Sequence, residues 1–478
     1  MTIERELEII ELIKKEVKPA LGCTEPIAVA LAVASSCETL RNGGCGEPLS
    51  LDVEVSANIL KNGMGVGIPG TGMVGLHIAS ALGATCGKSE YKLEVLKDLN
   101  DETLAAAKKM VADGNVKIGL ADTDVKLFIK ATAINGNNRA ETIIKDNHDS
   151  IISVTLNGAP VAEPAAVEGV AGTAAEDIAG NCIVVEECAC NKDAVSVMAG
   201  AGSACVSVGN GAVAVQTPVE KTTLDYKLTV KEILEFANNA SFENIAFILD
   251  SVKLNYALAE EGLKNDYGLK VGKTIIASQH QSVFGSSVMS YAMAATAAAS
   301  DARMAGCLLP AMSNSGSGNQ GITVTVPVIA VAKKMGVSDE KLARALVLSH
   351  LVAIHIKGYL GKLSALCGCV IASTGSSCGI VYLNGGTYEQ ICAAIKNMVG
   401  NITGMVCDGA KVGCALKVAS GVSSSIQSAV LALDNICISS NDGIIEDCIE
   451  KTIYNLGTIG SKGMQVTDRM ILDIMVSK

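Results

Sequence analysis

The stretch LTVKEILEFANNASFENIAFILDSVKLNYALAEEGL (228–263) decides the fold, because the character of the chain changes there. Its apolar residues recur at helical spacing. Thr229 followed by Glu232 has the pattern of a capping box, and Ser241 stands where a following helix needs its cap. From this stretch to the end, helical periods dominate, punctuated by glycine loops. Upstream the pattern is mixed. A helix is expected from Ile3 to Val17, ended by Pro19, and a second over GCTEPIAVALAVASSCETL (22–40). LSLDVEVSANI (49–59) alternates with period two and reads as a strand. DVKLFIKATAI (124–134), AETIIKD (140–146) and SIISVTLNGAP (150–160) are further strands, separated by turn residues. GIPGTGMVGLHIASALG (67–83) is a glycine-rich turn running into a helix. The boundary is set near 225: an α/β domain over 1–224, then an all-helical domain over 225–478. Residues 161–222 are rich in Gly, Ala and Val and resist assignment.

Composition narrows the function. Lys and Arg number 38 against 49 Asp and Glu, a net charge of −11, which argues against a nucleic-acid or anionic-membrane partner. Hydrophobic residues are 49% of the chain but aromatics only 3%, so the apolar content is small residues suited to close helix packing. The Glu-rich amphipathic N-terminus lacks the apolar core of a signal peptide, and no run reaches the length of a membrane span; SYAMAATAAASDARMAG (290–306) is broken by Ser, Thr, Asp and Arg. A cytoplasmic location is expected. In that compartment the 17 cysteines are thiols, most of them small buried hydrophobes.

A few cysteines stand out from that background. Cys407 and Cys414 lie seven apart on a turn interleaved with Gly404, Gly409 and Gly413, and Cys367 and Cys369 flank Gly368. An iron–sulfur cluster needs thiolates and nearby backbone amides, which glycine-flanked cysteines supply. Zinc favours a Cys-x2-Cys pair, and the sequence has none. Packed thiols in a helical core are the competing reading. In GCTEP (22–26), Thr24 can cap a helix, leaving Cys23 just outside the positive end of the dipole, where a thiol pKa is lowered; an inert Cys in a turn is the competing reading and, from the residues alone, the preferred one. In SNSGSGNQG (313–321) hydroxyls, amides and glycine N–H groups form a nest suited to a carboxylate or phosphate, with no Walker lysine following. Asn58, Lys61 and Asn62 precede a turn built on Gly63, Gly65, Gly67 and Gly70; its dinucleotide signal is discounted for want of an acidic ribose partner. His350 and His355, five apart on one helix, read as core groups.

Five motifs in order carry a resemblance: GCTEP (22–26), SANILKNGMGVGIPGTG (56–72), SNSGSGNQG (313–321), GKLSALCGC (361–369) and MVCDGAKVGCALK (405–417). The chain resembles the L-cysteine desulfidases, which are similar to the iron–sulfur L-serine dehydratases, from about residue 5 to 475. The resemblance implies a [4Fe–4S] cluster held by Cys367, Cys407 and Cys414 with one iron open to substrate, and hence oxygen sensitivity. It implies Cys23 as catalytic base, and an α/β domain like the dehydratase substrate-binding domain ahead of an all-helical cluster domain. The implied reaction converts L-cysteine and water to pyruvate, ammonia and hydrogen sulfide; L-serine dehydration is the alternative. The loop Ser313, Asn314, Ser315, Gly316, Ser317, Gly318 and Asn319 is expected to cradle the substrate carboxylate. Asn58, Lys61 and Asn62 are candidates for its amino or carboxylate group, with Lys61 the reserve base. The partner is a small amino acid, and a homodimer is expected. The segment 161–222, with Cys182, Cys188, Cys190 and Cys205, is longer than the pattern and lacks paired glycine-flanked ligands.

Two rivals lack support in the sequence. A pyridoxal-phosphate lyase needs a Schiff-base lysine near a phosphate nest, and no segment offers one. A redox sensor or sulfur-transfer protein needs only the cysteines and leaves SNSGSGNQG and GCTEP without a role.

Overall fold

Alternation in the first half becomes a one-faced sheet. The computed structural model describes residues 1–161, 228–361 and 364–477, so Cys182, Cys188, Cys190 and Cys205 lie outside the described residues. The strands are β1 Pro19–Ala20, β2 Ser50–Val55, β3 Val116–Leu120, β4 Phe128–Asn135, β5 Asn138–Lys145, β6 Ile151–Leu156, β7 Ala159–Pro160 and β8 Ala311–Met312. Six of them form one sheet in the order β3-β2-β4-β5-β6-β7, parallel between β2 and β3 and antiparallel elsewhere. Leu51, Val53 and Val55 face the core while Asp52 and Glu54 alternate outward. The β6–β7 hairpin turns on Asn157 and Gly158, both at positive φ, the chemistry a two-residue turn demands. The four expected strands are all present. The edge strand β3 went unread because Lys117 and Gly119 break its pattern.

The helices of the first half are α1 Ile3–Glu16, α2 Thr24–Asn42, α3 Ala57–Gly63, α4 Leu76–Thr85 and α5 Asp101–Ala112. α2 is buried along most of its length between the sheet and α4. Ser36 Oγ donates to the Ala131 carbonyl of β4, and a Cβ on Gly83 of α4 would sit 2.5 Å from the Ala30 carbonyl oxygen. LSLDVEVSANI does not stay extended: Ser56 caps the chain into α3, which carries Asn58, Lys61 and Asn62.

Among the described residues the second half is helical apart from β8. Its helices are α6 Val230–Asn239, α7 Phe242–Ile245, α8 Asp250–Lys264, α9 Val271–Ile276, α10 Gln281–Phe284, α11 Val288–Met304, α12 Gly318–Met335, α13 Asp339–Leu360, α14 Gly368–Leu383, α15 Tyr388–Ile402, α16 Cys414–Leu433, α17 Ile449–Thr458 and α18 Gln465–Val476. Thr229 caps α6 as expected, accepting from Glu232 N at 3.1 Å, but the Glu232 carboxylate turns to Arg5 of α1 instead of closing the box. Ser241 caps α7. α11 is the hub, packed on α8, α9, α12 and α16. Its alanines allow glycines of its neighbours to touch backbone: a Cβ on Gly262 would lie 2.0 Å from the Ala298 carbonyl oxygen, and one on Gly272 2.3 Å from that of Ala294. That close packing accounts for an apolar sequence with few aromatics. Among the described residues, α16 is the helix long and apolar enough to cross a membrane; 56% of its apolar window is buried in this packing.

Residues 1–161 and those from 228 onward form one compact unit. The small pair β1–β8 joins the two halves, registering Pro19 with Met312 and Ala20 with Ala311. It sets GCTEP, which follows β1, beside SNSGSGNQG, which follows β8.

Candidate functional site

The two glycine-flanked cysteine segments meet first. Leu366 and Val406 form an antiparallel bridge, with Cys367 N donating to Met405 O at 3.0 Å and Cys407 N to Ala365 O at 2.6 Å. Cys367 is the N-cap residue of α14, and Cys414 opens α16. Burial pushes the Cys367 thiol well up, with Cys369, Cys407 and Cys414 adding to it, and burial raises Cys414 as well. Cys369 is different. Its thiol donates to the Lys417 carbonyl at 3.2 Å and lies so close to Gly421 of α16 that a Cβ there would be 2.4 Å from Sγ. It belongs to the α14–α16 interface. Burial alone raises the Asp408 carboxyl, but Lys411 and Lys417 outweigh it and hold it at about 2. Lys417 also donates to the Val406 carbonyl at 2.8 Å, bracing the turn.

The turn between Cys407 and Cys414 rests on α3. Gly409 has φ +93°, and a Cβ there would fall 2.2 Å from the Lys61 carbonyl oxygen, so glycine is required on two grounds. Lys61 itself is buried and paired with Asp468 of α18, which removes it as a free base or substrate ligand. Asn62 Nδ2 donates to Glu25 Oε1 at 3.1 Å, so it braces α2. The Asn58 side chain makes no hydrogen bond among the described residues and is half-buried on the same helix.

GCTEP closes the site from the other side. Cys23, not Thr24, occupies the N-cap position of α2, and it makes no side-chain cap; Thr24 is the first helical residue and donates to Glu25 and to the Gly316 carbonyl, each at 3.3 Å. The expected lowering of the Cys23 thiol is not the net result. Burial pushes it up to about 12, against the opposing pull of Arg303, because desolvation of a thiolate outweighs the helix end. Cys23 shares an apolar cluster with Val66 and Met304, against which Cys414 packs. Residues 391 positions apart thereby line one site.

In SNSGSGNQG most polar groups are spent within the fold. Ser313 donates to the Lys18 carbonyl, and buried Asn314 bonds His350 Nδ1 at 3.0 Å and accepts from Gln320 and Ser315. Ser315 and Gly316 turn the chain at positive φ, and Ser317 caps α12 through Gln320 N. Gly318 and Asn319 are left with unbonded backbone N–H groups among the described residues. A Cβ on Gly368 would lie 3.3 Å from Gln320 Oε1, so this loop borders the Cys367 turn. All five motifs therefore converge. His350, buried beside Asn314 and Thr325, and His355, bonded to Glu450 at 2.7 Å, are core groups.

A model of the serine dehydratase alpha chain matches residues 90–473. The chain is also 44% identical over 479 residues to a UPF0597 protein of Bacteroides fragilis, covering all of both chains. It is 46% identical over 469 residues to a UPF0597 protein of Oleidesulfovibrio alaskensis, covering 98% of this chain and 97% of that one. The chain belongs to the serine dehydratase alpha chain family.

Two residues of this family member escaped the sequence reading. Arg303 of α11 is 5% exposed; its Nη2 donates to the Gly22 carbonyl at 2.8 Å and its Nη1 to Asn319 Oδ1 at 3.2 Å. It ties GCTEP to the α12 start, yet in sequence it reads only as a break in an alanine run. Lys357, near the end of α13, has an amine without a hydrogen-bond partner among the described residues. Burial lowers it to about 8, with Cys407, Glu25 and Cys367 favouring its charge and Lys126 opposing. Nothing in HIKGYL (355–360) marks it.

Whether the thiols fit the family's cluster can be judged on their chemistry. No three His, Cys, Asp or Glu side chains among the described residues gather around a single metal ion. A four-iron cluster binds each thiolate through a different iron, so its ligands stand apart by the width of the cube. Cys367, Cys407 and Cys414, on glycine-bearing turns at two helix starts, suit that donor set, and Cys369 is engaged elsewhere.

Proposed function

We propose that the protein is a [4Fe–4S]-dependent carbon–sulfur lyase, an L-cysteine desulfidase forming pyruvate, ammonia and hydrogen sulfide. The observation that carries this reading is the meeting of Cys367, Cys407 and Cys414 with Cys23 from distant segments. Cys367, Cys407 and Cys414 would hold the cluster, leaving one iron without a protein thiolate. When bound, such a cluster supplies a Lewis acid for the departing sulfur.

The chain's own residues supply the rest. As a thiolate Cys23 would accept the α-proton; burial opposes that form, and the charge of Arg303 is what favours it. Lys357, an unpartnered amine influenced by Cys367, Cys407 and Glu25, is the second candidate for that proton and replaces Lys61 in the role. The α12 start offers Gly318 and Asn319 N–H groups to the carboxylate, a smaller share of the Ser313–Asn319 loop than expected from its sequence. Loss of the α-proton and the thiolate leaves aminoacrylate, which takes up water and yields pyruvate and ammonia. The reading has the enzyme in the cytoplasm, as a homodimer, with a sheet-bearing domain over 1–224 ahead of a catalytic helical domain over 225–478.

L-Serine dehydration stands as the second reading because the matched family is named for it. Anaerobic turnover of the reconstituted protein with each amino acid decides between them. Sulfide and pyruvate from L-cysteine at the higher kcat/KM is the expected result. Pyruvate from L-serine alone makes it a dehydratase, and no pyruvate from either ends the lyase reading.

A further inference from the structure

Among the described residues Arg303 is a charge without a counter-ion. It is 5% exposed, and its hydrogen-bond acceptors, the Gly22 carbonyl and the Asn319 side-chain oxygen, are neutral. Its Nε is buried with no partner among the described residues. Removing a guanidinium from water without an anion is costly, so such a group is retained where an anion visits. Three other cations of the site are committed: Lys61 to Asp468, and Lys411 and Lys417 to Asp408.

The surroundings of Arg303 complete an anion site. Its guanidinium seats on Gly318, where a Cβ would come 2.2 Å from Nε. Gly318 opens the 18-residue helix α12, whose first two N–H groups, on Gly318 and Asn319, have no acceptor among the described residues. A helix start and a buried guanidinium thus converge on one point. That point borders Cys23, the residue after Gly22, whose carbonyl accepts from Arg303 at 2.8 Å. The carboxylate of an α-amino acid is one bond from the carbon whose proton Cys23 would take, so the anion site stands where the reaction needs it. Lys357, the other uncommitted cation, is associated with Cys367 and Cys407 instead.

We infer that Arg303, with the Gly318 and Asn319 N–H groups, binds the α-carboxylate of the substrate. The inference rests on the lyase reading for its ligand, but its test does not depend on turnover. The probes are 3-mercaptopropionate and its amide, which differ only in the anion and, lacking an α-amino group, cannot form aminoacrylate. Calorimetry on the cluster-loaded protein measures both affinities. The wild type is expected to bind the acid at least about tenfold tighter than the amide, and Arg303→Gln to reduce that ratio to within about twofold. Gly318→Ala, which pushes a methyl into the guanidinium without altering charge, is expected to do the same and serves if Arg303→Gln does not fold. A wild type with no preference for the acid, or a folded variant that keeps the preference, overturns the inference. Acid preference without pyruvate from either amino acid sinks the lyase reading and leaves the anion site standing; turnover with the ratio unchanged in Arg303→Gln does the reverse.

Discussion

Single residues separate the cysteines proposed as ligands from those that pack. Cys367 and Cys369 are indistinguishable in sequence, each beside Gly368. The thiol of Cys369 is held by the Lys417 carbonyl against Gly421, so Cys369→Ala should cost about 1 kcal/mol of stability and keep the iron. Cys367→Ala, Cys407→Ala and Cys414→Ala should each lose it. Iron and sulfide analysis of the four variants checks this, and a full complement in any of the last three rejects that residue as a ligand. Cys23→Ala should keep the cluster yet lose on the order of a hundred- to ten-thousand-fold in pyruvate formation. Exchange of the substrate α-hydrogen in deuterated water, followed by NMR, isolates the proton step. Normal exchange in Cys23→Ala would move the role to Lys357. The cysteine pattern was legible because glycine spacing is a local signal. Arg303 and Lys357 were not, because an ordinary charged residue becomes a site group only through burial and the absence of a partner, which no local pattern records.

Elements were legible where one face is wet. β2, β4 and β5 alternate because one side of the sheet meets α2 and the other solvent, and the caps of α6 and α7 read directly. The assembly of short helices around α11 was not, since α11 is apolar nearly all round and carries no face. One contact of α11 has a pH consequence. Asp301 Oδ2 accepts the Gly272 N–H at 3.2 Å at the start of α9, but its Oδ1 is buried without a partner among the described residues. Burial pushes its carboxyl up to about 6, and the backbone N–H groups at this helix start do not offset it. A carboxyl raised on folding stabilises the fold below its unfolded pKa, and that contribution fades as pH rises through the folded value. Stability of the wild type relative to Asp301→Asn should therefore fall between about pH 4 and 6, by on the order of 3 kcal/mol, and stay level above. Denaturant titrations across that range measure it; a difference independent of pH would mean Asp301 stays ionised in the fold.

At the scale of the whole molecule, the order of five motifs is readable in one dimension, but their convergence depends on contacts between chain ends. Lys61 and Asp468, separated by 407 positions, join α3 to the terminal helix α18. Lys61 is 2% exposed, so the pair ties the base of the cysteine turn, where Gly409 lies on the Lys61 carbonyl, to the last helix of the chain. Nothing in ILKNG or VTDRM marks either residue as half of a buried pair. The energetics of burial give the test its form. Removing one partner strands a charge, whereas replacing both with apolar groups of like size removes the desolvation cost along with the attraction. Asp468→Ala should destabilise by about 3 kcal/mol, somewhat less if water reaches the ammonium through the 22% of Asp468 that is exposed. Lys61→Met with Asp468→Leu should return most of that loss. Because α3 supports the turn between Cys407 and Cys414, iron retention on dilution should follow the same order: wild type and double variant together, Asp468→Ala faster to lose its metal. A double variant as unstable as Asp468→Ala would mean the pair contributes through packing of the aliphatic stem. Equal iron loss in all three would detach the C-terminal helix from the site and leave the turn supported by Lys417 and Val406 alone.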